Sequence, residues 1–195
     1  DKGYHVKMDK GIFSRFRLFL ITAYIRLNEI VLFYPRLKKV FKNKLGYPPS
    51  VVLDIGANKG QTISFFKNLN KNVKIFSFEP TPSLFRYLEN KYKSFSDIKI
   101  YELAASSYNG ERVFFENYFD ETSSFSKLNY ESEYLKFKSN VLGVKPKEII
   151  VKDYNVQVVK LCDFINDYID FDIDVLKIDV EGHEYDCLKG LFSNS

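Results

Sequence analysis

The first fifty residues carry apolar side chains at helical spacing. Between residues 11 and 34 these side chains recur every three or four positions, which predicts an amphipathic helix. Charged residues interrupt this helix, so it is a poor candidate for a membrane span, and Pro35 should end it. A second, basic helix is predicted over residues 37–45, where Gly46 should stop it. We therefore expect a helical N-terminal segment over residues 1–49.

The rest of the chain, residues 50–195, alternates between short apolar runs and helical periodicity. Strands are predicted over residues 51–55, 73–80, 98–105, 157–161 and 174–180. Helices are predicted over residues 62–69, 81–92 and 162–168, and from the end of the last strand to about residue 188, with Gly190 as its cap. This alternation is typical of a doubly wound, mostly parallel α/β sheet. The last strand is apolar at its centre, as a strand buried on both faces should be.

Between the third and fourth predicted strands the pattern is less regular. Asn109-Gly110 is a hairpin turn signal, so we expect residues 112–115 to return antiparallel to the end of the third strand. The following segment, residues 118–155, is rich in polar residues and tyrosine, with a helix predicted over residues 130–138. A connection of this length inside a compact domain usually covers a site or is mobile.

Three of the predicted strands end in polar residues. Asp54 and Gly56 close the first strand, Glu79 closes the second, and Asp179 and Glu181 close the last. Ligands of open parallel sheets bind beyond the carboxyl ends of the strands, so we expect these residues to converge there. A carboxylate in the position of Glu79 can accept both hydrogen bonds from a ribose diol. The three strand ends together predict a nucleoside-binding site.

The glycine-containing stretch after the first strand indicates which nucleoside fits. Residues 56–60 read Gly-Ala-Asn-Lys-Gly and lack the middle glycine of the dinucleotide fingerprint, which disfavours a nicotinamide-dependent oxidoreductase. An acid two residues before the first glycine suits a ligand that carries an ammonium group. S-adenosylmethionine fits this pattern, with its ribose at Glu79 and its amino-acid tail near Asp54 and Asp179.

Charge is unevenly distributed along the chain. Residues 1–50 hold eleven Lys and Arg against three Asp and Glu, a net charge of +8, whereas the remainder holds eighteen against twenty-two, a net charge of −4. The first interpretation is a helical cap that packs on the sheet with its charges solvated. The second is a peripheral membrane contact through residues 1–50, attracted by anionic lipids. Nucleic acid is disfavoured because no recognisable reader motif accompanies the charge.

Cysteine usage indicates the compartment. Cys162 and Cys187 have the spacing of neither a zinc site nor a disulfide framework, which favours a reducing environment. No signal peptide opens the chain. We therefore expect a cytoplasmic protein, membrane-associated if the N-terminal segment binds lipid.

Three motifs carry a family resemblance. They are Asp-Ile-Gly-Ala-Asn-Lys-Gly at residues 54–60, Phe-Glu-Pro at residues 78–80, and Leu-Lys-Ile-Asp-Val-Glu-Gly-His-Glu at residues 176–184 with Leu-Lys-Gly at residues 188–190. On these motifs the chain resembles the FkbM-type methyltransferases, a branch of the class I S-adenosylmethionine-dependent fold. The resemblance implies a Rossmann-like methyltransferase sheet and O-methyl transfer, often to a sugar or polyketide hydroxyl.

The predicted site combines these motifs with the strand ends. The residues predicted to bind the cofactor are Asp54, Gly56, Ala57, Asn58, Gly60, Glu79, Pro80, Ala105 and Asp179. His183 is the candidate general base, because its unperturbed pKa lies near neutrality, and Glu181 would orient the imidazole or bind the acceptor. The acceptor would be a small molecule or a glycan. The plainer interpretation is that His183 only caps or packs the last helix.

Other interpretations stay open. Asp179, Glu181, His183 and Glu184 could together hold a divalent ion, but successive residues at a strand end often point apart, so a metal is not favoured. A non-catalytic nucleoside-binding or scaffolding module derived from this fold is the main alternative to an enzyme. The class I resemblance implies seven strands, the last three after the strand of Asp179. We therefore expect the C-terminal strands to be missing and a strand edge to be exposed.

Overall fold

The computed structural model describes residues 27–117 and 150–193, together with Arg17, residues 19–21 and 23–24, and the single positions 125, 133, 137 and 139. These residues belong to two compact units. One unit is drawn from residues 1–39 and 128–149, and the other from residues 40–127 and 150–195. All of the predicted site residues lie in the second unit. The predicted domain boundary after residue 49 stays a prediction.

The described elements follow the predicted alternation of strands and helices. The helices are α1 (Tyr34–Val40), α2 (Gln61–Leu69), α3 (Pro82–Tyr92), α4 (Leu161–Tyr168) and α5 (Glu184–Phe192). The strands are β1 (Val51–Ile55), β2 (Lys74–Phe78), β3 (Ile98–Tyr101), β4 (Ala104–Ser106), β5 (Gly110–Asn117), β6 (Ile150–Lys160) and β7 (Val175–Ile178). Parallel pairing joins four of them in the order β3-β2-β1-β7. The predicted mostly parallel, Rossmann-like α/β sheet is confirmed.

Burial differs sharply between the strands of the parallel sheet. Every residue of β1 is buried, and Val52, Leu53 and Ile55 are 1% exposed or less, because β1 lies between β2 and β7. By contrast, every residue of β7 is only half-buried. The prediction that this strand is buried on both faces is therefore wrong. Among the described strands, β7 has a partner on one side only and forms an edge of the sheet.

A second sheet, in the order β4-β6-β5, corrects two sequence-based expectations. The predicted third strand is two strands, because the chain leaves the parallel sheet after Tyr101 and resumes in the second sheet at Ala104. The expected pairing of β5 with the end of that strand is also wrong. Both Ala104 of β4 and Gly110 of β5 stand opposite Val158, so β6 lies between the two strands. Asn109 accepts a hydrogen bond from the Lys160 backbone N–H at 2.8 Å, which ties this turn to β6.

Helices α4 and α5 close the core over both sheets. The ring of Phe164 packs edge-on against Phe78, with centroids 4.6 Å apart. Cys187 is fully buried, and burial raises the pKa of its thiol to about 12, so it is an inert core residue at neutral pH. The prediction that α5 stops near residue 188 with Gly190 as its cap is wrong, because the helix runs through Gly190 to Phe192. A Cβ at Gly190 would lie 1.9 Å from the Ser106 carbonyl oxygen, so this glycine lets the helix lie directly on β4.

The N-terminal helical segment also departs from prediction in one detail. Pro35 does not end a helix; it is the second residue of α1. A π-helical turn over Glu29–Phe33 precedes it, and such a turn accommodates the carbonyl group that a proline ring would otherwise strike. Gly46 ends the following turn in a left-handed conformation, φ 72°, as predicted. The helix predicted over residues 130–138 falls largely outside the described residues. None of the described helices is long and apolar enough to cross a membrane.

Candidate functional site

A cavity opens at the carboxyl edge of the parallel sheet. Its walls come from the ends of β1 and β2, from the turns after β1, β2 and β7, from β4, and from the side chains of Phe114 and Phe125. Its polar lining residues are Asn58, Glu79, Thr81, Asp179 and Glu181. Its apolar lining residues include Leu84, Leu103, Phe114 and Phe125. The three polar strand ends therefore do converge on one cavity, as open parallel sheets require of a ligand site.

The predicted residues divide into those that line this cavity and those that do not. Gly56, Asn58, Glu79, Pro80, Ala105, Asp179 and Glu181 line it. Asp54, Ala57, Gly60 and His183 are not among its lining residues. The residues of the second group do not face the cavity. Several of them contact the residues that form its wall.

Glu79 is the best-supported polar group of the cavity. It is 5% exposed, and each of its carboxylate oxygens accepts a backbone hydrogen bond: Oε1 from Thr81 N–H at 2.9 Å and Oε2 from Asn58 N–H at 2.7 Å. Burial raises the pKa of this carboxyl group, while the two N–H donors pull it down. The Thr81 side chain is a third hydrogen-bond partner of this carboxylate, so of its about four acceptor positions at least one remains for a ligand. The side chain is fixed in place before any ligand arrives.

The turn between β1 and α2 depends on left-handed backbone at three positions. Gly56, Asn58 and Gly60 have φ values of 85°, 49° and 79°. A Cβ at Gly56 would lie 2.1 Å from the carbonyl oxygen of Asp179, so this glycine allows the β1 and β7 turns to touch. The absence of a side chain at Gly56 therefore serves first to let the β1 and β7 turns touch, and not to leave space for a ligand.

Gly60 supports the site from the other side of the turn. A Cβ there would lie 2.9 Å from Leu88 and 3.0 Å from the Tyr92 hydroxyl, both on α3. The Tyr92 hydroxyl donates to the Gly60 carbonyl oxygen at 3.2 Å. Gly60 thus packs the start of α2 against α3, which explains its position behind the cavity wall.

Asp54 is fully buried and is paired with a lysine of the neighbouring strand. Lys177 Nζ lies 3.2 Å from Asp54 Oδ1 and donates to the Gly56 carbonyl oxygen at 2.6 Å. The Ser77 hydroxyl donates to the second carboxylate oxygen of Asp54 at 3.3 Å. Burial raises the pKa of Asp54, and the Lys177 ammonium group opposes that rise. The negative charge of Asp54 is therefore already matched within the protein.

Asp179 and Glu181 bring the exposed negative charge of the cavity. The side chain of Asp179 is 65% exposed, and its carboxylate is 3.7 Å from Lys177 Nζ. Glu181 is also exposed and takes a left-handed conformation with φ 51°. Both carboxylates are therefore accessible to a cationic or hydroxyl-bearing ligand.

His183 lies behind the ring of Phe125, in a buried polar cluster. Its Nδ1 is 3.1 Å from Asp186 Oδ2, and its Nε2 is 3.3 Å from Arg112 Nη1 and 3.4 Å from the Ser106 hydroxyl. Burial and the Arg112 guanidinium lower the pKa of this histidine, so it is neutral at pH 7. Because a guanidinium can only donate, Nε2 is the acceptor nitrogen and Nδ1–H donates to Asp186.

Phe125 joins this cluster to the cavity. Its ring centroid is 4.8 Å from that of His183, and the Arg112 guanidinium stacks on the same ring at 4.9 Å. Phe125 also lines the cavity. One phenylalanine ring therefore separates the neutral imidazole from the space where a ligand would bind.

The acidic residue next to His183, Glu184, is bound to the backbone of its own turn. Glu184 accepts hydrogen bonds from the backbone N–H groups of Val180 and Gly182, at 3.1 to 3.3 Å. The backbone N–H of Glu184 itself and these two bonds lower the pKa of its carboxyl group. Across the part of the chain that the structure describes, no three His, Cys, Asp or Glu side chains are placed to hold a metal ion. Glu184 instead fixes the turn that precedes α5.

Comparison with known proteins shows which family the chain belongs to. A family model described as Methyltransferase FkbM domain matches residues 54–194. The chain belongs to the FkbM methyltransferase family. The match begins at Asp54 and includes β7, the turn to His183 and all of α5, so it spans the whole cavity. No curated protein matches the chain. S-adenosylmethionine is the usual cofactor of methyltransferases.

The sequence did not single out several residues that build the site. Lys177, Arg112, Phe125 and Asp186 were all missed. Only Lys177 left a signal, since it is a single cation in the middle of an apolar strand that faces the predicted acid of β1. The others come from distant segments and meet His183 only in the folded chain.

The first prediction concerns the pair of Asp54 and Lys177. Lys177→Met should lower the free energy of unfolding by about 1–3 kcal/mol, because a buried carboxylate loses its partner. Burial raises the pKa of Asp54, so at pH values above the ordinary carboxyl pKa the ionised side chain lowers the free energy of unfolding. Without Lys177 this destabilisation grows. The deficit relative to wild type should therefore be largest near pH 7 and shrink as the pH falls toward about 4. Urea unfolding at both pH values measures it.

Lys99→Met, at an exposed position of β3, is the matched control and should change the stability little. The double variant Asp54→Asn with Lys177→Met should recover part of the loss. An equal deficit at both pH values would mean that the lysine stabilises by packing alone.

Proposed function

We propose that this FkbM-family protein transfers the methyl group of S-adenosylmethionine to a hydroxyl group of a sugar, a glycan or another small metabolite. The observation that carries the proposal is Glu79, a buried carboxylate on the cavity wall whose two oxygens are both pre-oriented by backbone N–H groups. Such a carboxylate suits the hydroxyl groups of a ribose. The bound cofactor would supply an activated methyl group, so the protein has to supply alignment and a proton acceptor.

The composition of the cavity supports S-adenosylmethionine over a dinucleotide. Asn58 stands where the dinucleotide fingerprint has its middle glycine, and its side chain takes up space that a pyrophosphate would need. The carboxylates at Glu79, Asp179 and Glu181 also favour a cationic ligand over one that carries phosphates. We therefore rank a nicotinamide-dependent oxidoreductase well below a methyltransferase.

The acceptor is proposed to bind against the apolar side of the cavity. Leu103, Phe114 and Phe125 form a surface on which the carbon face of a sugar or a similar small molecule can pack. Glu181, at the rim, is proposed to bind acceptor hydroxyls. His183 is proposed to take the acceptor proton on Nε2, the nitrogen that is unprotonated at neutral pH, once Phe125 gives way to the acceptor.

A non-catalytic nucleoside-binding module is the second candidate. The position of His183 behind Phe125 favours it, because the candidate base is then not on the cavity wall. Turnover decides between the two candidates. Release of S-adenosylhomocysteine with any member of a panel of hydroxylated sugars supports the enzyme, whereas cofactor binding with no release on the whole panel supports the module.

The second prediction tests the cofactor. Glu79→Gln should weaken the binding of S-adenosylmethionine by roughly 1–3 kcal/mol, because the amide NH₂ group opposes a backbone N–H and leaves fewer acceptors for the ribose. Isothermal titration measures the affinity. Glu89→Gln, on the exposed surface of α3, is the matched control and should bind like wild type. Tight binding by Glu79→Gln would remove Glu79 from the ribose site.

The third prediction tests the base. His183→Gln should lower kcat by roughly 10²–10⁴-fold with the cofactor affinity unchanged. The wild-type rate should fall as the pH drops through the pKa of His183, which lies below its ordinary value of 6.5.

The neighbours of His183 make this test specific. Arg112 lowers the pKa of the histidine, so Arg112→Gln should move the acid limb of the rate profile to higher pH. Asp186 raises the pKa, so Asp186→Asn should move the limb to lower pH. A limb that stays in place in both variants, or persists in His183→Gln, would assign the proton transfer to another group.

We also propose that the N-terminal segment contacts an anionic membrane surface. Among its described residues, Phe19, Leu20, Tyr24, Leu27 and Val31 are each 50% exposed or more. Their spacing places them along one stripe of the helix, and residues 1–50 carry a net charge of +8. An exposed apolar stripe with many cations suits a helix that lies in the interface of a bilayer with anionic lipids.

The fourth prediction follows from this surface. The protein should sediment with vesicles that contain phosphatidylserine and less with purely zwitterionic vesicles, and added salt should weaken the binding. The variant Lys38→Glu with Lys39→Glu should bind more weakly, whereas Lys71→Glu with Lys93→Glu, outside the segment, should have a smaller effect. Equal sedimentation with both kinds of vesicle would favour a helical cap on the sheet instead.

A further inference from the structure

The turn between β7 and α5 contains a backbone conformation that glutamate rarely adopts. Glu181 has a φ of 51°, in the left-handed region, and the next residue, Gly182, has a φ of 96°. Glycine takes such values freely, whereas a residue with a long side chain is strained there. Strain of this kind persists only where the surrounding structure holds the residue in place.

Glu184 holds this turn. Its Oε1 accepts hydrogen bonds from the Val180 N–H at 3.3 Å and from the Gly182 N–H at 3.2 Å, and its Oε2 lies 3.1 Å from the same Gly182 nitrogen. The two N–H groups belong to the residues immediately before and after Glu181, so one carboxylate closes the turn around the strained residue. Hydrogen bonds to an ionised carboxylate are stronger than those between neutral groups.

The strained residue belongs to the wall of the cavity. Asp179, Val180 and Glu181 line the cavity consecutively, whereas Glu184 is not among its lining residues. Gly56 fixes the start of this stretch through its close contact with the Asp179 carbonyl oxygen, and Glu184 fixes the end. Any effect of Glu184 on a ligand of the cavity therefore passes through the turn that it holds.

We infer that Glu184 is a positioning residue for the methyl acceptor: it holds Glu181 in the left-handed conformation and so keeps it on the cavity wall, where Glu181 binds an acceptor hydroxyl. The inference rests on the proposed function. It gives the strain a purpose, because a relaxed turn would take Glu181 away from the acceptor. Glu79 belongs to a different turn, so cofactor binding should not depend on Glu184.

The fifth prediction separates positioning from general stability. Glu184→Ala should raise the KM for a sugar acceptor roughly tenfold, with kcat and the affinity for S-adenosylhomocysteine nearly unchanged, because the acceptor loses an oriented partner. Glu184→Gln keeps a side-chain oxygen that can accept from both N–H groups, so its KM should stay within a few-fold of wild type. The acceptors are the methyl glycosides of glucose, galactose, mannose and rhamnose; turnover gives KM and kcat, and isothermal titration gives the affinity.

A double-mutant cycle tests whether Glu184 acts through Glu181. Glu181→Gly should raise KM about as much as Glu184→Ala does, and the two substitutions together should raise it no further. Glu181→Gly should also unfold at no lower a urea concentration than wild type, because glycine relieves the left-handed strain. Glu89→Ala removes a carboxylate from the exposed surface of α3 and is the matched control, which should change none of these values.

Three outcomes would contradict the inference. KM increases that multiply in the double variant would mean that Glu184 acts independently of Glu181. A lower unfolding midpoint for Glu181→Gly would mean that the glutamate is not strained, and an unchanged KM in Glu184→Ala would remove its positioning role. Cofactor binding without turnover on any of the four glycosides would instead overturn the proposed enzymatic function, and the inference with it.

Discussion

The close approach of the β1 and β7 turns is the constraint on which the ligand edge of this sheet depends. Lys177 holds it electrostatically, because its ammonium group contacts both the buried carboxylate of Asp54 and the carbonyl oxygen of Gly56. Gly56 permits it sterically, since any Cβ would meet the carbonyl oxygen of Asp179. The positions of Asn58 and Asp179 at the cavity both follow from this contact. A buried acid in a central strand is tolerable only because its cation comes from the adjacent strand.

The turn after β1 also holds Glu79 in place. Its carboxylate is fixed by N–H groups from Asn58 and Thr81, which belong to two different turns. Holding a buried carboxylate costs solvation, and the two N–H donors offset part of that cost while they aim its remaining acceptor positions. Because the acceptor is already oriented, little conformational entropy would be lost when a ligand binds to it. A small cavity can gain affinity from few contacts in this way.

The sequence predicted the parallel sheet and the carboxyl edge at which the cavity opens, because both depend on local patterns of residues. Short apolar runs that end in an acid predicted β1, β2 and β7, and the glycine spacing predicted the turn at residues 56–60. It failed where the outcome depends on distant pairing. The insertion of β6 between β4 and β5 leaves no local trace, and the close packing of Gly190 on Ser106 looks in sequence like a helix cap. For the same reason the pairing of Asp54 with Lys177, more than a hundred residues away, could not be predicted, and the role of Asp54 toward a ligand stays a prediction.

The placement of His183 has a physical logic of its own. Arg112 would repel a protonated imidazole, while Asp186 would attract it, and burial adds to the effect of the arginine, so the neutral ring is favoured. A neutral ring can accept a proton, yet once it is protonated the Asp186 carboxylate is the nearest compensating charge. Phe125 packs against both the imidazole and the guanidinium, but the Arg112 and Asp186 side chains are 34% and 36% exposed, so solvent weakens the interactions of these two charges. The contacts of His183 with Asp186, Arg112 and Ser106 therefore fix the tautomer of the ring, while burial and the arginine keep it neutral.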